Sequence, residues 1–248
     1  MHRRPHRAVL TAATLAAGLA LALTACVGAA PTPTPDAATT PPTATPTPTP
    51  EPVDPLTTVS ALVARPEALE LRDAGGAVVG SLDYLAPVGP AIETLTTVFG
   101  TPPVAEKHRG SNHFPPSTVH RWDGFELWEN RYVDNWAEFA EEPRTLYKPS
   151  FSVVFTEPAR GSIALTTTHG VEAGTAWTDL EAMPGLQVNQ SGCSGPYLDY
   201  IEREETWPDG TVHVQRFGVD FVDWDNWEAP SVVTEVRAPI PVHENGCA

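Results

Sequence analysis

Thiols, imidazoles and carboxylates beside tryptophan are the side chains in this sequence that could carry chemistry. The cysteines are Cys26, Cys193 and Cys247. Cys193 and Ser194 sit in Gly192-Cys193-Ser194-Gly195-Pro196, where a nucleophile elbow would need glycine in place of Pro196. His108, His113 and His120 could in principle hold zinc, but their spacing fits no usual ligand pattern and no His-Glu-x-x-His accompanies them. A solvated loop is expected there. Asp220, Asp223, Asp225 and Glu228 could hold calcium, yet the regular oxygen spacing and central glycine of a calcium loop are missing. Glu202, Glu204 and Glu205 precede a hairpin and read as a solvated strand face. There is no phosphate-cradling or dinucleotide glycine loop. No catalytic residue, metal or cofactor is therefore expected.

The tryptophans are more informative. There are seven. Trp122, Phe125, Trp128, Tyr132 and Trp136 cluster along the chain, as do Trp224 and Trp227. Such residues either fill a core with their polar edges satisfied or form an aromatic platform for sugar rings or a protein partner. Core packing is expected for most of them. Trp128, Trp224 and Trp227 stand beside Glu129, Asp223, Asp225 and Glu228, so exposure is expected for these three, and they are the candidate binding residues. The same acids leave a second reading open, an envelope hydrolase, because sequence does not set the carboxylate separation such chemistry needs.

The amino-terminal segment has the parts of a secretory leader. Met1 to Arg7 carries Arg3, Arg4 and Arg7 and no acid, and an apolar run of 18 residues, 8–25, follows. That run is short and weakly apolar for a membrane span. It ends in Leu23-Thr24-Ala25-Cys26, which resembles the lipobox of bacterial lipoproteins. The resemblance implies that residues 1–25 are a signal peptide. It also implies that Cys26 becomes the first mature residue and carries a diacylglyceryl thioether. Two acyl chains anchor stably where one does so only marginally. The expected address is the extracytoplasmic face of the cell membrane.

Residues 26–55 form a second segment, with ten prolines between Val27 and Pro55 interleaved mostly with Thr and Ala. It cannot bury a core and favours extended polyproline II, with a reach of about 90 Å at ~3.1 Å per residue. It reads as a disordered tether. The chain has 15 Lys+Arg against 31 Asp+Glu, a net charge of −16 that deepens when the three leader arginines are lost. Nucleic acid is excluded as a partner, since its binding needs clustered cations. Two lysines against thirteen arginines, with many Ala, Pro and Thr, suggest a GC-rich genome; with the lipobox and tether, the chain resembles an actinobacterial envelope lipoprotein. In that oxidising compartment Cys193 and Cys247 are expected to pair, adding ~4 kcal/mol in the chain-entropy model.

Residues 56–248 are long enough for a real core. They contain an internal match: Gly89 to Gly100 aligns with Gly174 to Gly185 at an offset of 85 residues. Gly89/Gly174, Ala91/Ala176, Leu95/Leu180 and Gly100/Gly185 coincide. The first segment reads as a helix with Pro90 at the first position and a stripe of Ile92, Leu95, Val98 and Phe99; the second has Trp177, Leu180 and Met183. Gly80-Ser81-Leu82 and Gly161-Ser162-Ile163 are each expected to open a strand before the helix. Trp122-Asp123-Gly124 and Trp207-Pro208-Asp209-Gly210 give a hairpin after it. Phe151 to Thr156 and Ser231 to Val236 read as the strands that close each unit. The expected fold is α+β: an antiparallel sheet built from two strand-helix-hairpin-strand units, about 77–156 and 161–237, with few short helices.

Other elements fit around these units. A hairpin is expected from Ala68–Arg72 to Ala77–Tyr84 around Asp73-Ala74-Gly75-Gly76, and a short helix over Asp134–Glu142. A bulge is expected near Gly218, where the apolar face switches from Val212 and Val214 to Phe217, Val219 and Phe221. In outline the tandem units resemble secreted beta-lactamase inhibitor protein and the small lipoproteins of outer-membrane assembly. That resemblance covers Gly80 to Val236 and implies protein binding through an exposed sheet face. The expected function is a lipid-anchored, non-catalytic binding module with a protein or cell-wall polymer as partner. A hydrolase, or a purely structural surface lipoprotein, is the alternative.

Overall fold

The computed structural model describes residues 54–108, 117–130, 149–188, 195–206 and 210–242. Cys26, Cys193 and Cys247, the helix expected over Asp134–Glu142, His113, Trp136 and Trp207 lie outside them. Among the described residues the fold is mostly β, with twelve strands and two α-helices, and antiparallel pairs predominate. No helix among them is long and apolar enough to cross a membrane.

Asp54 opens the fold by accepting the Leu56 amide at 2.9 Å, which caps a 3-10 turn over Pro55–Thr58. Strands β1 (Val59–Ala64), β2 (Ala68–Asp73) and β3 (Val78–Asp83) follow as an antiparallel meander. The β2–β3 hairpin lies where Asp73-Ala-Gly-Gly predicts it. The Asp73 carboxylate accepts the amides of Gly75 and Ala77, both at 2.9 Å, and Gly76 takes the positive φ of 81° that glycine tolerates. Gly80 does not open β3 but lies within it, packed on Leu71.

Helix α1 (Val88–Phe99) starts two residues before Pro90, so that proline is the third helical residue, still within the turn whose amides lack intrahelical partners. Its stripe of Ala91, Leu95 and Phe99 is buried, and Gly100 ends it in the left-handed region. Strands β4 (Val104–His108), β5 (Ser117–Trp122), β6 (Phe125–Asn130) and β7 (Phe151–Phe155) come next. β5 and β6 turn on Asp123-Gly124, as the dipeptide predicts. Strands β8 (Ala159–Arg160) and β9 (Ile163–Thr167), helix α2 (Trp177–Glu181), and strands β10 (Tyr197–Thr206), β11 (Val212–Val222) and β12 (Glu235–Pro241) complete the order.

The strands form two sheets. A five-stranded sheet has the order β3-β2-β1-β9-β8, and a seven-stranded sheet has β10-β11-β12-β7-β6-β5-β4. β1 is the cause: it pairs antiparallel with β2 and parallel with β9, so Leu62 meets Leu71 on one side and Leu165 on the other. β12 is also displaced from the expected Ser231–Val236. The amides of Ser231 and Val232 donate to Asp223 and that of Val233 to the Thr175 carbonyl, which draws this stretch out of the ladder. The ladder resumes at Glu235 and runs through Pro239 to Pro241. The bulge in β11 is present as a register shift between Gly218 and Asp220. Around it Phe217, Val219 and Phe221 are buried, while Val212 and Val214 face solvent.

One core joins both sheets and both helices. Leu62, Leu69, Leu71 and Leu165 come from the smaller sheet, Leu95, Phe99 and Leu180 from the helices, and Phe125, Leu127, Phe151, Phe155, Phe221 and Val236 from the larger. Phe99, Trp122 and Phe125 interlock with ring centroids 5.3 to 5.7 Å apart, and the Trp122 Nε1–H donates to the Thr101 carbonyl at 2.8 Å. Trp122 is thus a core residue.

Candidate functional site: the outer face of the larger sheet

Strand alternation sorts the candidate residues. Phe125 and Leu127 of β6 point into the core, so Glu126 and Trp128 occupy the opposite, outer face. Cross-strand pairing carries that face outward through Val119 and Arg121 of β5 to Glu106 and His108 of β4. In the other direction it passes through Val154 of β7 to Arg237 of β12 and Asp220 of β11. The centre of the face is closed, with Val119 fully buried and Val154 nearly so. Openness is concentrated on the β11–β12 loop, where Trp224 and Trp227 are 55% and 47% exposed.

Asp223 builds that loop. It is buried, and its carboxylate accepts the amides of Ser231 at 2.8 Å, Asn226 at 3.1 Å and Val232 at 3.2 Å. Those amides, Ser231's first, hold its carboxyl below the usual aspartate range. Asp223 is therefore the scaffold of this loop. On this frame Trp224 and Trp227 stack, centroids 5.4 Å apart and planes 19° off parallel. The Trp224 Nε1–H donates to Glu235 at 2.8 Å, and the Arg237 guanidinium lies over the Trp224 ring, 5.4 Å from its centroid.

Beneath the tryptophans lies a buried ion pair. Asp220 is fully buried, and Arg237 grips it with Nε at 2.9 Å and with a second, shorter contact from Nη2. Burial pushes the Asp220 carboxyl up, against the pull of Arg237 and of the Gly195 amide. Burial also raises Glu235, with Glu126 and Asp220 adding to the push while the Trp224 N–H and Arg237 oppose it. Glu126 is held by Arg121 at 2.8 Å and accepts the Trp128 Nε1–H at 2.8 Å.

Trp128 departs from the expected exposure. It is partly buried, with the His108 ring 5.0 Å away and its N–H satisfied within its own strand. It shares the outer face with Trp224 and Trp227, but of these three described residues Trp224 and Trp227 present open indole. His108 and His120 point to opposite faces of the sheet, His120 lying across from core Leu127 and contacting Glu129 at 3.2 Å, so these two imidazoles cannot share a metal. Glu202 and Glu204 are exposed, and Glu202 is met by Tyr200 and Arg216.

A second polar centre gave no sequence signal. Asp199 has φ of 57°, the only positive value at a non-glycine among the described residues, at a register shift in β10. It accepts the Thr168 hydroxyl at 2.6 Å and contacts His169 Nε2 at 2.7 Å. Burial opposes its ionisation, but the Thr168 and His169 contacts and the charge of Arg65 prevail and lower its pKa. Because the Thr168 hydroxyl donates to the same carboxylate, it does not stand ready as a nucleophile for His169. The group is a latch between the end of β9 and the start of β10. A left-handed aspartate at a bulge is a tertiary outcome that no local pattern announces.

In comparisons with known proteins, the chain matches no family model, no curated protein and no solved structure.

Proposed function

We propose that the chain is a lipid-anchored extracytoplasmic protein whose folded part is a non-catalytic binding module, with Trp224 and Trp227 as its contact residues and a protein or cell-wall polymer as partner. The carrying observation is the stacked, solvent-open indole pair held by Asp223. Large apolar side chains left open on a prepared scaffold suit binding, since aromatic anchors carry most of the energy of an interface. Carboxylates surround the pair, but those under Trp224 are engaged by Arg237 or by the indole N–H, which suits positioning better than hydrolysis. Truncation separates the readings. Trp224→Ala and Trp227→Ala should leave thermal stability near wild type while costing ~2 kcal/mol or more of partner binding. A melting loss equal to that of Leu95→Ala, ~2–5 kcal/mol, would return the pair to the core.

The anchor, the staple and the duplication belong to the same proposal. Residues 1–25 are the signal peptide, Cys26 the lipidated residue and 26–55 the tether; Cys26→Ser should abolish lipid labelling and detergent-phase partitioning. Cys193 and Cys247 form a disulfide, which mass spectrometry of unreduced protein would show as a linked peptide pair. Internal duplication is supported by the order of the larger sheet. β5-β6-β7 and β10-β11-β12 are both meanders, and their last strands, β7 and β12, lie side by side and antiparallel. It is opposed by the smaller sheet, where β3 is an edge strand and β9 an inner one.

A further inference from the structure

The proposed binding face carries information about the charge of its partner. Among the described residues, Arg121 is engaged by Glu106 and Glu126, and Arg237 by Asp220. Around the open indoles the fixed charge is negative. Asp225 and Glu228 are exposed on the same loop as the tryptophans and take part in no ion pair among the described residues. Glu235 sits at the edge of Trp224 with its oxygen on the indole N–H. The chain also uses one indole of the pair in the way a cation would. It lays a guanidinium over Trp224 and neutralises it with Asp220 from beneath. Trp227, 47% exposed, keeps open surface with Asp225 and Glu228 close in sequence on the same loop. An indole face attracts guanidinium through its quadrupole, and a planar guanidinium stacks where an ammonium only approaches.

We infer that the Trp224–Trp227 platform recognises an arginine-bearing segment of a basic polypeptide, with a guanidinium on Trp227 and the carboxylates of Asp225 and Glu228 neutralising it. This rests on the reading of the indole pair as a binding face and narrows it to one partner chemistry. A neutral wall glycan would use the same rings but gain nothing from the acidic rim. Attraction of opposite net charges would speed encounter and weaken with salt.

The test is titration of the full chain in detergent micelles with a tetra-arginine peptide, its tetra-citrulline counterpart, tetra-lysine and an N-acetylglucosamine tetramer, read by tryptophan fluorescence and calorimetry. Citrulline keeps the shape of arginine without its charge. Tetra-arginine should bind about tenfold or more tighter than tetra-citrulline, and tighter than tetra-lysine. Trp227→Ala should erase the arginine-over-lysine preference, Trp227→Phe should keep part of it, and Asp225→Asn with Glu228→Gln should weaken binding several-fold, each at unchanged melting temperature. Equal binding of citrulline would show that the cationic charge contributes nothing, and undiminished arginine preference in Trp227→Ala would show that the indole contributes nothing; either would overturn the inference. Binding of the sugar tetramer but not of tetra-arginine, lost in Trp227→Ala, would overturn it and keep the binding face. Failure of every ligand would also overturn it, and the melting behaviour of Trp224→Ala and Trp227→Ala would decide the binding face on its own.

Discussion

Arg203 of β10 and Asp83 at the end of β3 face each other with two parallel contacts of 3.0 Å across 120 residues of sequence. They join edge strands of the two sheets, which share no ladder. The guanidinium beside Asp83 holds that carboxyl below its ordinary value. Both side chains are more than a third exposed, at 37% and 46%, so solvent screens the pair. A double-mutant cycle of Arg203→Ala and Asp83→Ala should give a coupling of ~0.5–1 kcal/mol that shrinks with added salt.

The buried pair behaves differently. Asp220→Ala leaves Arg237 buried without its carboxylate, and unfolding free energy should fall by ~3–5 kcal/mol in urea titration. Replacing both, Asp220→Leu with Arg237→Met, should recover most of that loss, because the desolvation cost disappears with the charges. No recovery would mean that Arg237 matters through its place over Trp224.

Asp223 gives the platform loop a pH dependence of definite sign. Its folded-state pKa lies below the unfolded value of about 3.9, so its stabilisation is complete above that value and is lost as pH falls through the folded pKa. Fluorescence from Trp224 and Trp227 should therefore shift at acid pH. In Asp223→Asn the shift should already be present at neutral pH.

Gly195 is fixed by lack of space and not by its backbone angle. A Cβ there would run into the carbonyl oxygen of Phe221, whose amide pairs with Pro196. Gly195→Ala should therefore destabilise by more than a surface substitution does, ~1–3 kcal/mol by thermal melting. The neighbouring Gly-Cys-Ser-Gly stretch thus owes its last glycine to strand packing.

Local chemistry was legible where it is self-contained. Asp73 to Gly76 and Asp123-Gly124 turn as written, α1 buries its stripe, and the slip near Gly218 is a register shift. Exposure of Trp224 and Trp227 followed from their acidic neighbours, but Trp128 has acidic neighbours too and is covered, since cross-strand packing is not a local property. The parallel β1–β9 contact was not readable, because it spans about a hundred residues and an apolar run does not name its partner. β12 was misplaced because Asp223 takes amides that a strand would have used. The meeting of Glu126, Glu235 and Trp224 on one face depended on that misplaced strand.

The position of β1 has a mechanical meaning. It is the first strand among the described residues, yet it lies inside its sheet, flanked by β2 and β9. A pull entering from the amino-terminal side runs along β1, at right angles to the hydrogen bonds that hold it. Such a load is shared among the bonds on both flanks at once, as in a lap joint. An edge strand pulled sideways would instead peel, one bond after another. β1 is thus placed to resist a load applied from that side.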